Sequence, residues 1–156
     1  MNALRLALAG PEDAAALADI SRRAFETDIA CGAPGPDGPP GYDSAEWQAD
    51  MMRRATAYWK ILLGDTLIGG VIVFTYPSGR NYLARIFLDP VYHRQGLGER
   101  AMAALMAHYP EARSWQLETP PWNTRTRVFY EKLGFRVIRQ TEDDLFFRKD
   151  IAPHDA

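Results

Sequence analysis

His93-Arg94-Gln95-Gly96-Leu97-Gly98-Glu99-Arg100 is the stretch whose reading decides this chain. It follows Tyr82-Leu83-Ala84-Arg85-Ile86-Phe87-Leu88, which reads as a strand, and it opens a run from Glu99 to His108 that reads as a helix. A basic, glycine-bearing turn at a helix N-terminus presents unpaired backbone N–H groups at the positive end of the helix dipole, which is a place for a phosphate. Gly96 and Gly98 have no Cβ, so the chain can bend sharply there and an anionic oxygen can approach the backbone. Charge-assisted hydrogen bonds contribute roughly 1.5–3 kcal/mol each, so a few amides anchor a diphosphate without side chains.

A dinucleotide-binding reading competes for the same residues. Gly96-Leu97-Gly98-Glu99-Arg100-Ala101 fits a Gly-x-Gly-x-x-Ala form, and Glu118 stands 20 residues past Gly98, where that fingerprint wants an acid. The fingerprint, however, wants its first glycine directly after the strand, and here Asp89 to Gln95 intervene. It also begins a doubly wound sheet, and the 58 residues after Gly98 are too few for the remaining βαβ units.

Downstream, Trp115-Gln116-Leu117-Glu118-Thr119 reads as a strand that Pro120-Pro121 ends, and Asn123 starts a helix running to Leu133 with Gly134 as its stop. With Asp89-Pro90-Val91-Tyr92 ahead of the glycine turn, and Asn123-Thr124-Arg125-Thr126-Arg127-Val128-Phe129-Tyr130-Glu131-Lys132-Leu133-Gly134-Phe135 behind it, the chain resembles the GNAT superfamily of acyl-CoA-dependent N-acetyltransferases. The resemblance runs from residue 3 to 150 in element order and is sharpest from Leu83 to Phe135. One position departs from the family pattern: His93 stands where an arginine or glutamine opens the Arg/Gln-x-x-Gly-x-Gly/Ala motif, and its charge depends on pH.

The rest of the chain is consistent with that frame. At 156 residues it is one domain, expected over 1–150 with a loose tail at 151–156. Ala3 to Leu8 suits a strand, and Gly10-Pro11-Glu12-Asp13 starts a helix burying Leu17, Ile20, Ala24 and Phe25. Cys31 to Gly41 is too rich in proline and glycine for helix or central strand. A second helix is expected from Asp43, with Asp43 and Glu46 as a capping box and Trp47 and Met51 buried. Strands are expected at Tyr58–Leu63, Thr66–Tyr76, Tyr82–Leu88, Arg113–Thr119, Phe135–Arg139 and Leu145–Lys149, with Ile68 to Phe74 apolar enough to be covered on both faces. The order βααβββαβαββ is α/β, and the resemblance implies a mixed, mostly antiparallel sheet of about six or seven strands, helices on both faces and splayed central parallel strands.

Charge and composition narrow the partners. Residues 80–139 carry 10 Lys/Arg against 5 Asp/Glu, while residues 1–79 carry 6 against 10, so the basic segment coincides with the phosphate turn. A mildly acidic chain with no basic tract is a poor nucleic-acid binder. No apolar run approaches membrane length and the N-terminus lacks a signal-peptide pattern, so no membrane partner and a cytoplasmic location are the expectations. The lone cysteine, Cys31, excludes an internal disulfide, and three scattered histidines with one cysteine have no metal-ligand spacing.

What the resemblance implies about chemistry is specific. Acetyl-CoA is the donor, its pantetheine arm lying in the strand gap against backbone groups of Phe87 and Leu88, and its pyrophosphate on His93, Arg94, Gln95, Gly96, Leu97, Gly98 and Glu99. Tyr130 matches the family tyrosine that protonates the departing thiolate; its other reading is core packing beside Phe129 and Leu133. Glu118, 12 residues ahead of Tyr130, matches the base of ribosomal-protein-type N-acetyltransferases; its other reading is a strand carboxylate paired with Arg85 or Arg127. Asp89 is a weaker rival for that role, and Asn123 caps its helix and, in the family, touches the cofactor. Between Ala24 and Met52 lie six acids (Glu26, Asp28, Asp37, Asp43, Glu46, Asp50) and no base, in the region where the family builds its acceptor pocket. That pattern points to a cationic acceptor, a small-molecule or peptide amine, held by Asp28 with Tyr42 or Trp47 stacking on it. The alternatives are a non-catalytic acyl-CoA-binding module or sensor, and a homodimer is a common assembly in the family.

Overall fold

The computed structural model describes residues 3–28, 32, 33, 35 and 38–151; Cys31, Asp37 and residues 152–156 lie outside the described residues. A single sheet organises them. Its strands are β1 (Leu4–Leu8), β2 (Ala57–Leu63), β3 (Thr66–Phe74), β4 (Arg80–Leu88), β5 (Ser114–Thr119), β6 (Arg136–Gln140) and β7 (Leu145–Asp150), in the spatial order β1-β2-β3-β4-β5-β7-β6. Every neighbouring pair is antiparallel except β4 and β5, so the sheet is mixed and mostly antiparallel, as the resemblance implied.

Helices α1 (Ala14–Glu26) and α2 (Ala45–Arg54) cover one face, and α3 (Leu97–Ala107) and α4 (Thr124–Lys132) the other. Alternation of side chains along the strands divides the core accordingly. Leu17, Ile20 and Ala24 of α1 pack with Ile72 and Phe87 on one side, while Ala101, Met102 and Leu105 of α3 pack with Val71, Val73 and Leu83 on the other. The continuous burial of Ile68 to Val73 confirms β3 as a strand covered on both faces.

Several local readings need correction. Ser44 caps α2, its hydroxyl accepting from Trp47 N at 3.0 Å, so the Asp43–Glu46 capping box is not the device used. Ser44 has the extended backbone an N-cap needs, and its short hydroxyl reaches the free amide. The residue α2 buries completely is Gln48, at 0% exposure, with Trp47 and Met51 half-buried. Gln48 is tolerated there because it accepts from the Tyr58 hydroxyl and donates to the Gly41 carbonyl. A short 3-10 turn, Pro11–Asp13, precedes α1, with Gly10 N donating to the Asp13 carboxylate at 2.9 Å. Ile151, expected in the tail, is held: its N–H donates to Arg113 O at 2.9 Å.

Candidate active site

The centre of the sheet opens. β4 pairs with β5 only where Arg80–Tyr82 face Ser114–Gln116; beyond that, Leu117, Glu118 and Thr119 pair with β7 alone and Arg85–Leu88 with β3 alone. A bulge in β4 accounts for the parting. Ile72 faces Arg85 and Val73 faces Leu83, so Ala84 is an extra residue, and an extra residue bends and twists its strand. The β4 backbone from Arg85 onward therefore has an edge with no strand beside it.

That edge leads to the glycine turn. Asp89 caps a 3-10 turn over Pro90–Tyr92 by accepting from Val91 N, and Arg23 of α1 grips its carboxylate with two bonds of 2.7 and 3.0 Å. The Arg23 guanidinium holds the Asp89 carboxyl below its ordinary value. Asp89 thus fastens the turn to α1. His93 Nε2 lies 2.8 Å from the Leu88 carbonyl oxygen and donates to it, so this ring nitrogen is engaged with β4. Arg94 has φ 63° and Gly96 φ 72°, the left-handed region that Gly96 enters without penalty. α3 then begins at Leu97, two residues earlier than the sequence pattern indicated.

The first helical bond of α3 runs from Arg100 N to Gly96 O, and no side chain caps the helix, so the amides of Leu97, Gly98 and Glu99 have no helical acceptor. A Cβ placed on Gly96 would meet nothing within 4 Å, so the turn faces open space. Gly98 has a different task. A Cβ there would come within 3.1 Å of the Phe129 ring, so its absence lets α4 pack against α3.

A groove of about 500 Å³ follows, lined by Ile86, Phe87 and Leu88 of β4, by His93, Arg94 and Gly96 to Glu99, and by Arg125, Phe129, Tyr130 and Lys132 of α4. Gln95 is the one turn residue that does not line it; its amide donates to Val91 O. Lys132 pairs with Glu99 at 2.7 Å and offsets that acid in the first turn of α3. Arg125 and Lys132 are contributions the sequence reading left unassigned, although their spacing on one helix from Asn123 was visible.

A second cavity of about 610 Å³ lies toward α2, with Trp47, Tyr82, Arg85, Glu118, Asn123 and Asp144 in its walls. Phe25, Asp28, Ile86, Thr126 and Tyr130 belong to both spaces, so the groove and the cavity meet at Tyr130. The Tyr130 side chain is only 6% exposed, packed edge-on against Phe129 and Phe135, and burial pushes its hydroxyl pKa well above the usual 10. The phenol is therefore neutral across the physiological range.

Glu118 points into the cavity. It accepts from the Tyr82 hydroxyl at 2.9 Å, and neither Arg85 nor Arg127 forms an ion pair with it. Asn123 is buried, caps α4 by accepting from Thr126 N, and donates to Asp28. Asp28 also pairs with Arg125 at 3.0 Å; its burial raises its pKa, with Arg125 opposing. Tyr42 is buried behind the cavity, its hydroxyl on Glu26, and does not line it. Trp47 does, with the Arg85 guanidinium 4.0 Å above its ring.

The model of the acetyltransferase (GNAT) family matches residues 15–135. The chain belongs to this family. Among solved structures similar to this GNAT chain are the PaiA N-acetyltransferase of Thermoplasma acidophilum in complex with coenzyme A and the ribosomal-protein-S18-alanine N-acetyltransferase of Escherichia coli. The first is 19% identical with a TM-score of 0.78, covering 96% of this chain and 99% of that one. The second is 18% identical with a TM-score of 0.74, covering 99% of each. The uncharacterized protein YrkN of Bacillus subtilis is 30% identical over 103 residues, 65% of this chain and 56% of its own length, so the match spans little more than half of that relative. Among the described residues no group of histidine, cysteine and acidic side chains is placed to hold a metal, and no helix is long and apolar enough to cross a membrane.

Proposed function

We propose that this GNAT domain is an acetyl-CoA-dependent N-acetyltransferase acting on a primary amine by direct attack. One observation carries the reading: a groove ending on free helix amides meets, at Tyr130, a cavity holding Glu118, Asp144 and Arg85, where the two parallel strands part. The residues fit coenzyme A. The unmatched amides of Leu97 to Glu99 and the open side of Gly96 suit a pyrophosphate, and the free edge of Phe87–Leu88 suits an amide-bearing arm as an added strand. Similarity to a chain solved with coenzyme A supports the same donor.

The donor supplies an activated acetyl thioester. Glu118 takes a proton from the incoming ammonium, directly or through a water, which frees the nitrogen lone pair. As the C–N bond forms and the C–S bond breaks, Tyr130 gives its proton to the departing sulfur, and the second proton that the nitrogen sheds as the amide forms passes through water to restore the phenol. Burial keeps the Tyr130 phenol neutral, so it carries the proton that this step needs.

Thiol release from acetyl-CoA across a panel of amines tests this reading. Amine-dependent release is the expected result. Coenzyme A binding with no release for any amine would leave an acyl-CoA-binding module in its place.

A further inference from the structure

The cavity contains a cation, Arg85, that the described residues leave without a charge partner. The bulge at Ala84 turns two consecutive residues, Ala84 and Arg85, toward the α1–α2 face, where Ala84 packs on the apolar layer and Arg85 lies over Trp47. Arg85 Nη2 donates to the Pro40 carbonyl at 2.6 Å, but buried Nη1 has no hydrogen-bond partner among the described residues. No carboxylate of those residues forms an ion pair with this arginine. Burial lowers its pKa to about 10, which still leaves it charged at neutral pH. An arginine whose guanidinium lies over an indole, with one donor unpartnered, suits a planar two-oxygen anion.

The other wall carries the opposite charge. Glu118 and Asp144 line the cavity near Tyr82, and neither has an ion-pair partner among the described residues. Asp28, by contrast, is already neutralised by Arg125. The cavity is therefore dipolar: acidic beside the proposed base, basic at Trp47.

We infer that the acceptor is a small amino acid-like molecule, its ammonium at Glu118 and its carboxylate on Arg85. This rests on the acetyltransfer reading above and narrows it. Glu26 and Asp28 are tied to Tyr42 and Arg125, so the lid acids do not by themselves call for a polycation.

Matched acceptors provide the test: α- and ω-amino acids, each with its carboxamide, and one polyamine, assayed by thiol release. For the best pair, the free acid should exceed its amide in kcat/KM by about tenfold or more, mainly through KM. In Arg85→Gln that ratio should fall toward one, while Arg85→Lys retains part of it; coenzyme A should still raise the melting temperature of both variants. Should Arg85→Gln fail to fold, the acid-to-amide ratio of the unaltered enzyme remains decisive. Amides or the polyamine equalling the acids would overturn the inference and leave acetyl transfer standing. Coenzyme A binding without acetylation of any acceptor would overturn both.

Discussion

The groove and the cavity adjoin at Tyr130, yet they are made of different material. The groove presents main chain: helix amides and a glycine turn dictated by local sequence, and a strand edge freed by the bulge at Ala84. The cavity presents side chains gathered from α2, β4, β5 and the loops between them. On the proposed reading, main chain holds the donor, whereas side chains choose the acceptor.

The contrast can be broken most sharply at the junction. Tyr130→Phe should lower kcat by about a hundredfold or more while coenzyme A affinity, read by calorimetry, changes little. Equal loss in both would make Tyr130 a wall of the groove instead of its acid. On the cavity side, Glu118→Gln should reduce kcat/KM for amines by roughly ten- to a hundredfold, with the loss shrinking as pH rises and the amine deprotonates unaided. A pH-independent loss would remove the base assignment.

On the groove side, Gly96→Ala should weaken coenzyme A binding by about tenfold, since a methyl group would enter the open space before the amides. The left-handed φ adds a stability cost of about 1 kcal/mol, measured by urea unfolding. Unchanged affinity would place the pyrophosphate elsewhere. The smallest effect concerns the fastening beneath the turn. Asp89→Asn should cost about 1–3 kcal/mol at neutral pH by loss of the charge and of one of the two bonds from Arg23. Arg23 holds the folded-state carboxyl below its unfolded value of 3.8, so this contribution is complete above that value and is lost as pH falls through the folded one. Unfolding of the two proteins should therefore converge under strongly acid conditions; a constant gap would assign the effect to packing.

How much was legible in the sequence follows the same division. The order of strands and helices along the chain and the glycine turn were readable because hydrophobic period and breakers act within a few residues, whereas the spatial order of the strands was not read. Glu118, Tyr130 and Asn123 were readable by spacing within a known pattern, and the structure brings them to one cavity. Arg85 was visible as a lone charge in an apolar strand, but its orientation follows from a one-residue bulge opposite Ile72 and Val73, which no periodicity reveals. The separate task of Gly98 depended on Phe129, 31 residues away in a different helix. Asp28 illustrates the limit from the other side: an acid counted toward substrate charge is consumed by Arg125, across 97 residues of chain.

Backbone amide chemical shifts, followed during titration with coenzyme A, report on the proposed donor groove residue by residue. The N–H signals of Leu97, Gly98 and Glu99, together with those along Phe87 and Leu88, should move most and saturate together. Saturable binding that leaves the Leu97–Glu99 amides unmoved would contradict the account.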